Sequence, residues 1–340
     1  MVGNQGVVMK KFVALVVALV VLTAGVVEWL YAGFAAPGPV AAHGSETVVL
    51  IKSGSGLRGV AQTLADAGVV LKPDVFKIGV RLNGKTSALK AGEYAIPSHA
   101  SMHDIMDILI AGRSTEHKLT VAEGLTSQMA FDLVKNDQVL TGDAGPVPSE
   151  GAVLPETYLF ARGITRGEIV AKMQKAQEEL LDELWAKRAP NLPVKTKEEA
   201  VILASIVEKE TALPAERPHI ASVFVNRLRL GMKLQSDPTI IYGITKGYPL
   251  GRRIRQSEID RPTPFNTYAI IGLPPQPICN PGKDSIAAVL HPADTKDLFF
   301  VADGTGGHVF TANGAEQAKN VAKWRGIEEQ KNSPPKPAPR

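Results

Sequence analysis

The sequence predicts an α+β protein with an N-terminal transmembrane helix, a small β-α-α-β subdomain and a larger mixed α+β domain. One long apolar run lies near the N-terminus, strand and helix patterns alternate up to about residue 113, and mainly helical patterns follow. With 340 residues and 44% hydrophobic content, the chain is long enough for two or three domains. We divide it into an N-terminal segment (1–10), the helix (11–34), a linker (35–45), the small unit (46–113), the larger domain (114–326) and a disordered tail (327–340).

The composition argues against several classes of function. The net charge of +4 suits a protein near an anionic surface or polymer, although lysines and arginines in the tail also explain it. Aromatic residues make up only 6% and do not alternate with basic clusters, so we predict no nucleic-acid partner. Cys279 is the sole cysteine, which excludes an intramolecular disulfide. No histidine pair has helical metal-ligand spacing, so we predict neither a metal nor a cofactor.

The N-terminal apolar run predicts a retained membrane anchor. Lys10 and Lys11 precede a charge-free stretch from residue 12 to 27, which Trp29 and Tyr31 extend to a length that crosses a bilayer. The lysines favour a cytoplasmic N-terminus, and the two aromatic residues suit the far interface. The small residues at 32–36 also allow a cleaved signal peptide, but the apolar core is longer than a signal core usually is. We therefore predict a single-pass protein whose body lies outside the cytoplasmic membrane.

The small unit begins with a strand at Val48–Ile51. Apolar residues then recur at helical spacing over Leu57–Ala65, and Pro73–Leu82 predicts a second helix with proline at its start. Gly92–Pro97 predicts the second strand, and Met102–Leu109 a further helix.

The larger domain begins with a strand at Leu119–Val121 and continues with helical patterns. Thr196 and Glu199 have the spacing of a capping box in front of the helix that carries Glu208. The remaining predicted elements are a helix from Thr126, helices at Gly167–Ala186 and Glu216–Leu230, and a hairpin of Leu298–Ala302 with His308–Thr311.

Glu208 is the strongest candidate for a functional residue. It ends the apolar run of residues 201–207, and on a helix Val201, Ala204 and Ser205 share its face. We expect a carboxyl packed on such a face to lose hydration and to have a raised pKa, as a general acid requires. The alternative is that Glu208 ends the apolar face and points into solvent.

A polar stretch follows Glu208 in the sequence. Its amide, hydroxyl and aromatic side chains are the types that bind sugar polymers in a cleft, which we expect between the Glu208 helix and the segments around Gln235 and Asn266. Several of them could instead hold Glu208 in position without contacting the sugar. The candidates are Asn226, Gln235, Ser236, Asp237, Tyr242, Asn266, Thr267 and Tyr268.

Several motifs resemble the endolytic murein transglycosylase family. The likeness covers residues 45–325 and is dense from 198 to 311, and the β-α-α-β unit is similar to the LysM-like subdomain of that family. The motifs are Ala204–Thr211, Val223–Leu228, Met232–Thr239, Asn266–Tyr268, Leu273–Pro275, Asn280–Gly282 and His291–Ala293.

The resemblance implies a lyase that cleaves peptidoglycan between N-acetylmuramic acid and N-acetylglucosamine. Glu208 matches the catalytic glutamate, which would protonate the leaving oxygen and then act as base on the C6 hydroxyl, leaving a 1,6-anhydro end. The implied partners are nascent glycan strands and the cytoplasmic membrane, with peptidoglycan synthases nearby if the enzyme terminates strand growth. One carboxyl suffices for this route. Glu210 faces elsewhere on a helix, so Glu156 is the best candidate for a second acid.

Two other functions remain open. A muramidase would use water and a second carboxylate. A non-catalytic scaffold would bind glycan without cleaving it.

Overall fold

The computed structural model describes residues 3–112 and 115–332. These residues form two compact units. Unit 1 takes its residues from 1–117 and 159–164, and unit 2 from 118–158 and 165–340. Helices predominate, and each sheet among the described residues has two strands. The predicted mixed α+β class is confirmed.

Helix α1 (Gly3–Ala35) contains the predicted apolar segment. Over Leu15–Ala35 it is long and apolar enough to cross a membrane, and the side chains of that stretch are almost all exposed. Phe34 is the exception, with 3% of its surface exposed, because its ring packs 6.4 Å from that of Phe76 in unit 1. The apolar surface of α1 is therefore uncovered except at its last turn.

Unit 1 contains the predicted β-α-α-β order. Strand β1 (Glu46–Ile51) pairs antiparallel with β2 (Gly92–Pro97). Helices α2 (Leu57–Asp66) and α3 (Pro73–Leu82) connect the two strands, and α4 (Met102–Ala111) follows. The alternating apolar positions of the strands and one face of each helix form its core, which includes Leu64, Phe76, Tyr94, Ile105 and Leu109.

A buried carboxylate connects segments of unit 1 that are distant in sequence. Glu93 of β2 bonds His117 Nε2 at 2.5 Å and accepts from Arg162 Nε at 2.8 Å. Burial by itself would raise the pKa of Glu93, but the hydrogen bonds from His117 and Arg162 hold it below its usual value. Glu93 therefore anchors both the chain leaving unit 1 and the segment at 159–164 that returns to it.

The remaining strands form two short sheets. Strand β3 (Glu116–Thr120) pairs with β4 (Thr157–Ala161). Strands β5 (Phe299–Ala302) and β6 (His308–Thr311) form the predicted antiparallel hairpin. The sequence analysis did not predict β4, because its five residues carry no clear alternation.

The core of unit 2 is built around helix α7 (Lys197–Glu210), in which every residue from Ala200 to Val207 is buried. It packs against α8 (Arg217–Arg229) and α11 (Lys283–Leu290). Thr196 accepts from the Glu199 backbone nitrogen at 3.2 Å as predicted. The Glu199 carboxylate, however, accepts from the Lys195 nitrogen, so the predicted capping box is only half formed.

Several further helices complete unit 2. Helices α5 (Ser127–Asn136) and α6 (Arg166–Ala186) were predicted from the sequence. Helices α9 (Asp237–Thr245), α10 (Gln256–Ile259), α11 and α12 (Gly314–Asn332) were not. The tail expected from residue 327 is helical as far as Asn332, so that boundary is wrong. Residues 333–340 of the predicted tail lie outside the described residues.

We expect Gly79→Ala to destabilise unit 1. A Cβ at Gly79 would lie 2.3 Å from the Phe34 ring, so the close approach of α1 and α3 requires glycine there. Overpacking of this kind costs about 1–3 kcal/mol. Thermal unfolding of the whole chain should show a lower melting temperature. Gly59→Ala is the matched control, since its Cβ would meet only Ser55 at 3.7 Å and alanine favours a helix. Equal melting temperatures for both variants would contradict this account.

Candidate functional site

Glu208 lies in the last turn of α7 with only 6% of its side chain exposed. Its Oε2 accepts from the Gly282 backbone nitrogen at 3.0 Å and from Ser285 Oγ at 2.7 Å. Its Oε1 accepts from Arg217 Nη2 at 3.4 Å. Glu208 therefore does not point into solvent, and each of these partners is a hydrogen-bond donor.

Arg217 opens helix α8 and is 8% exposed. Its Nη2 also donates to Glu123 Oε2 at 3.1 Å, and its Nη1 donates to Asp284 Oδ2 at 3.4 Å. Its Nε is buried without a hydrogen-bond partner among the described residues. We call Arg217, Glu123, Glu208 and Asp284 the Arg217 cluster. One guanidinium thus contacts three carboxylates from three different segments.

Glu123 is a second carboxylate at this site, which the sequence analysis missed. It lies in the loop between β3 and α5, and 41% of its side chain is exposed. Burial and the charge of Glu208 raise its pKa, while Arg217 lowers it in part. Glu156, the predicted second acid, is exposed and, among the described residues, makes no hydrogen bond or ion pair with the Arg217 cluster. The carboxyl beside Glu208 is therefore that of Glu123, which only the fold brings to Arg217.

The loop that carries Glu123 is held by backbone pairing with Asn280. Gly124 N donates to Asn280 O at 3.0 Å, and Asn280 N donates to Leu125 O at 2.8 Å. The Glu123 carboxyl also lies directly against Gly282, where a Cβ would be 1.9 Å from Glu123 Oε1. Gly282 thus donates to Glu208 through its nitrogen and makes room for Glu123 at its Cα.

Glu210 carries another carboxyl at the end of α7, on a different side of the helix from Glu208. Glu210 Oε1 accepts from Ser236 Oγ at 2.5 Å. Glu210 as a whole is partly exposed, but burial of its carboxyl, together with the charge of Asp237, raises its pKa to about 7. A carboxyl with a raised pKa therefore lies two residues beyond Glu208. The carboxyl of the α7 end that lies against the segment around Gln235 is that of Glu210, through its bond to Ser236.

Three of the predicted sugar-binding residues lie close to Ser236, the partner of Glu210, and have accessible side chains. Gln235 and Asp237 are exposed, and Tyr268 is half-buried with its hydroxyl donating to Asp237 Oδ1 at 2.7 Å. Gln235 has a φ of 54°, a left-handed conformation that is uncommon for a residue other than glycine. These side chains are available to a ligand.

The other predicted residues make internal contacts. Asn226 donates to the Thr295 and Asp297 carbonyls, and Asn266 donates to the Ile259 and Arg261 carbonyls. These bonds favour the alternative that such residues support the site by holding loops. Ser236 and Thr267 bond each other through Ser236 N and Thr267 Oγ1 at 2.9 Å, and the buried Tyr242 donates to Glu150 Oε2 at 3.0 Å.

A family model matches most of the chain. The model of the YceG-like family covers residues 49–323. That range includes the Arg217 cluster and every predicted sugar-binding residue.

Curated relatives and a solved structure agree with this match. A protein of Bacillus subtilis named endolytic murein transglycosylase is 29% identical over 84% of this chain and 87% of its own length. A Streptococcus pneumoniae protein of the same name is also 29% identical, but this chain spans only 60% of its length. The crystal structure of a YceG-like protein from Listeria monocytogenes has a TM-score of 0.50 and 26% identity, covering 81% of this chain and 98% of that one.

We expect Glu210→Gln to reduce the pH dependence of stability. The pKa of Glu210 is about 7 in the folded protein against its usual 4.5, so the folded state binds the proton more tightly. This contribution to stability is fully present below pH 4.5 and is lost as the pH rises through 7. Denaturant titrations at pH 5 and pH 8 should show a smaller loss of unfolding free energy in the variant. Exposed Glu179→Gln is the control, and an unchanged pH dependence in Glu210→Gln would refute the assignment.

Proposed function

Because the chain belongs to the YceG-like family, we propose that it is an endolytic lytic transglycosylase of peptidoglycan. The observation that carries this proposal is the Arg217 cluster, which places the Glu208 carboxyl among donors and beside a second carboxyl. The names of the relatives support the choice of substrate.

The proposed substrate is a glycan strand, cleaved between N-acetylmuramic acid and N-acetylglucosamine. The bond from C1 of the muramic sugar to the leaving oxygen breaks, and O6 of the same sugar bonds to C1, leaving a 1,6-anhydro end without entry of water. Glu208 is the proposed catalytic residue. Its two oxygens accept from three donors, and in the proposed step Glu208 takes the proton of the C6 hydroxyl. In a one-carboxyl scheme it also protonates the leaving oxygen.

The accessible side chains near Glu210 are the proposed binding surface for the strand. Gln235 and Asp237 offer amide and carboxylate groups, and Tyr268 adds a ring and a hydroxyl. Ser236, Asn226, Tyr242, Asn266 and Thr267 would then position the segments that carry this surface.

A muramidase is the second candidate, and the Glu123–Glu208 pair favours it. Glycosidases that use water generally need two carboxyls, and this site has them. Water would then replace the C6 hydroxyl as the attacking group and leave a reducing end. The mass of the product separates the two reactions.

We propose that the β-α-α-β part of unit 1 is a LysM-like subdomain (46–113) and that residues 114–326 form the catalytic domain. The order β1, α2, α3, β2 with antiparallel outer strands supports this assignment. The subdomain would bind glycan or position the catalytic domain.

We further propose that α1 anchors the protein in the bacterial cytoplasmic membrane, with a cytoplasmic N-terminus and the catalytic domain outside. Its uncovered apolar surface and the exposed Trp29 and Tyr31 near its end support this. An anchored enzyme would act on nascent strands close to the peptidoglycan synthases.

We expect Glu208→Gln to abolish cleavage. Mass spectrometry of uncrosslinked glycan strands should show wild-type products lighter than hydrolytic ones by one water. The variant should lose these products by roughly 100-fold or more, since the amide cannot transfer the proton. Glu198→Gln, an exposed substitution at the start of the same helix, should retain wild-type activity. Reducing-end products would establish a hydrolase, and strand binding without cleavage by the wild type would establish a scaffold.

We expect the full chain to fractionate with membranes and to resist extraction by high salt, because α1 would span the bilayer. Protease added to intact spheroplasts should digest residues beyond 45 and spare the N-terminus. A chain that starts at residue 32 keeps the buried Phe34 and should be found in the soluble fraction. Recovery of the full chain in the soluble fraction, or protection of its body from protease, would exclude this topology.

A further inference from the structure

We propose that Glu123 is the proton donor of the reaction and that Glu208 is the proton acceptor, so that two carboxyls divide the acid and base roles. The inference rests on the proposed function and specifies how its site works. It differs from the one-carboxyl scheme in the residue that protonates the leaving oxygen.

Glu123 is more accessible than Glu208. The Glu123 side chain is 41% exposed and that of Glu208 is 6% exposed, although both bond the same Arg217 nitrogen. The bridging oxygen between two sugar rings is hindered, so it needs a proton donor at the surface. The C6 hydroxymethyl group protrudes from its ring and is small enough to approach a covered carboxyl.

The two carboxyls differ in the hydrogen bonds that they receive. Glu208 receives three donors on its two oxygens, so both oxygens act as hydrogen-bond acceptors and neither is arranged to offer a proton to the leaving oxygen. Glu123 Oε2 receives Arg217, and its Oε1 lies against the Cα of Gly282, which offers no donor there. Glu123 thus keeps one oxygen available to carry and donate a proton.

The charges near Glu123 also suit a proton donor. The nearby charges on Glu208 and Asp284, together with burial, raise the pKa of Glu123, as a general acid requires. Arg217 opposes this shift, and the same guanidinium would stabilise the Glu123 carboxylate once its proton has left. Lys209 also lies beside this loop, with its Nζ 3.3 Å from Gly124 O.

The proposed step balances without a co-reactant. The proton of Glu123 moves to the leaving oxygen as the bond from that oxygen to C1 breaks. The C6 oxygen bonds to C1, and its proton moves to Glu208. A proton then returns from Glu208 to Glu123, directly or through solvent, and the site is restored.

Other carboxyls near the site are less suitable. Asp284 contacts the other terminal nitrogen of Arg217 and is 66% exposed. Glu210 bonds Ser236, on the other side of the end of α7. Glu123 is the carboxyl that shares a nitrogen with Glu208.

The test compares two substrates that differ in their need for an acid. One is the natural glycan strand. The other is a glycan fragment that ends in muramic acid with a 2,4-dinitrophenoxy group on its anomeric carbon. This group leaves as the phenolate and needs no protonation. Glu123→Gln should cleave strands roughly 100-fold or more slowly than wild type but cleave the activated fragment within about tenfold of wild type. Glu208→Gln should lose both activities, because each requires deprotonation of the C6 hydroxyl.

The pH profile gives an independent result. Wild-type cleavage of strands should fall as the pH rises through the pKa of Glu123, and cleavage of the activated fragment should lack this fall. Gly282→Ala is a second variant, since its Cβ would displace the Glu123 carboxyl. It should impair strand cleavage more than cleavage of the activated fragment. Glu116→Gln, an exposed substitution on β3, serves as the control with unchanged activity.

Two results would overturn the assignment of Glu123. Equal losses on both substrates would make Glu123 a positioning residue for Arg217, and full activity of Glu123→Gln on strands would restore the one-carboxyl scheme. Absence of anhydro products from the wild type on both substrates would instead reject the proposed function.

Discussion

The contacts of the Arg217 guanidinium bring together the parts of the site that lie far apart in the sequence. Glu123 comes from the loop after β3, Glu208 from the end of α7, and Asp284 from the start of α11. An arginine that is 8% exposed needs compensating charge, and a carboxylate that is 6% exposed needs it equally. Removal of one partner from such a buried pair costs several kcal/mol, because the remaining charge is left without compensation. The geometry of the site and the stability of this part of the fold therefore depend on the same residue.

The packing of α7 determines which carboxyl has which surroundings. The apolar residues before Glu208 are buried against α8 and α11, so the end of the helix has little rotational freedom. Glu208 and Glu210 are two positions apart and consequently face different sides. Glu208 accepts from the Arg217 guanidinium and the Gly282 nitrogen. Glu210 accepts from Ser236, in a region where burial raises the pKa of Glu210. A single helix end thus provides two carboxyls with different chemistry.

The candidate site was only partly predictable. Amide and hydroxyl side chains suggest sugar binding by their type, but the same groups also hold loops, and a pattern of residue types does not separate the two roles. Asn266 shows the difficulty, since its amide is fully used by backbone carbonyls of the preceding segment. Glu123 shows the opposite case. No local periodicity marks it, and its importance follows only from its distance to Arg217.

The sequence by itself determined the elements whose signal is local. Apolar periodicity identified α2, α3 and α6, alternation and turn residues identified β1, β2 and the β5–β6 hairpin, and length and composition identified the apolar helix α1. The short elements β4, α9 and α10 were missed, because so few residues carry too little periodicity to separate them from loops. Only the tertiary structure decided which carboxyls lie together, how exposed each one is, and which donors surround it. The physical reason is that burial and electrostatic environment depend on residues far apart in the chain, and these meet only when the core of unit 2 has packed.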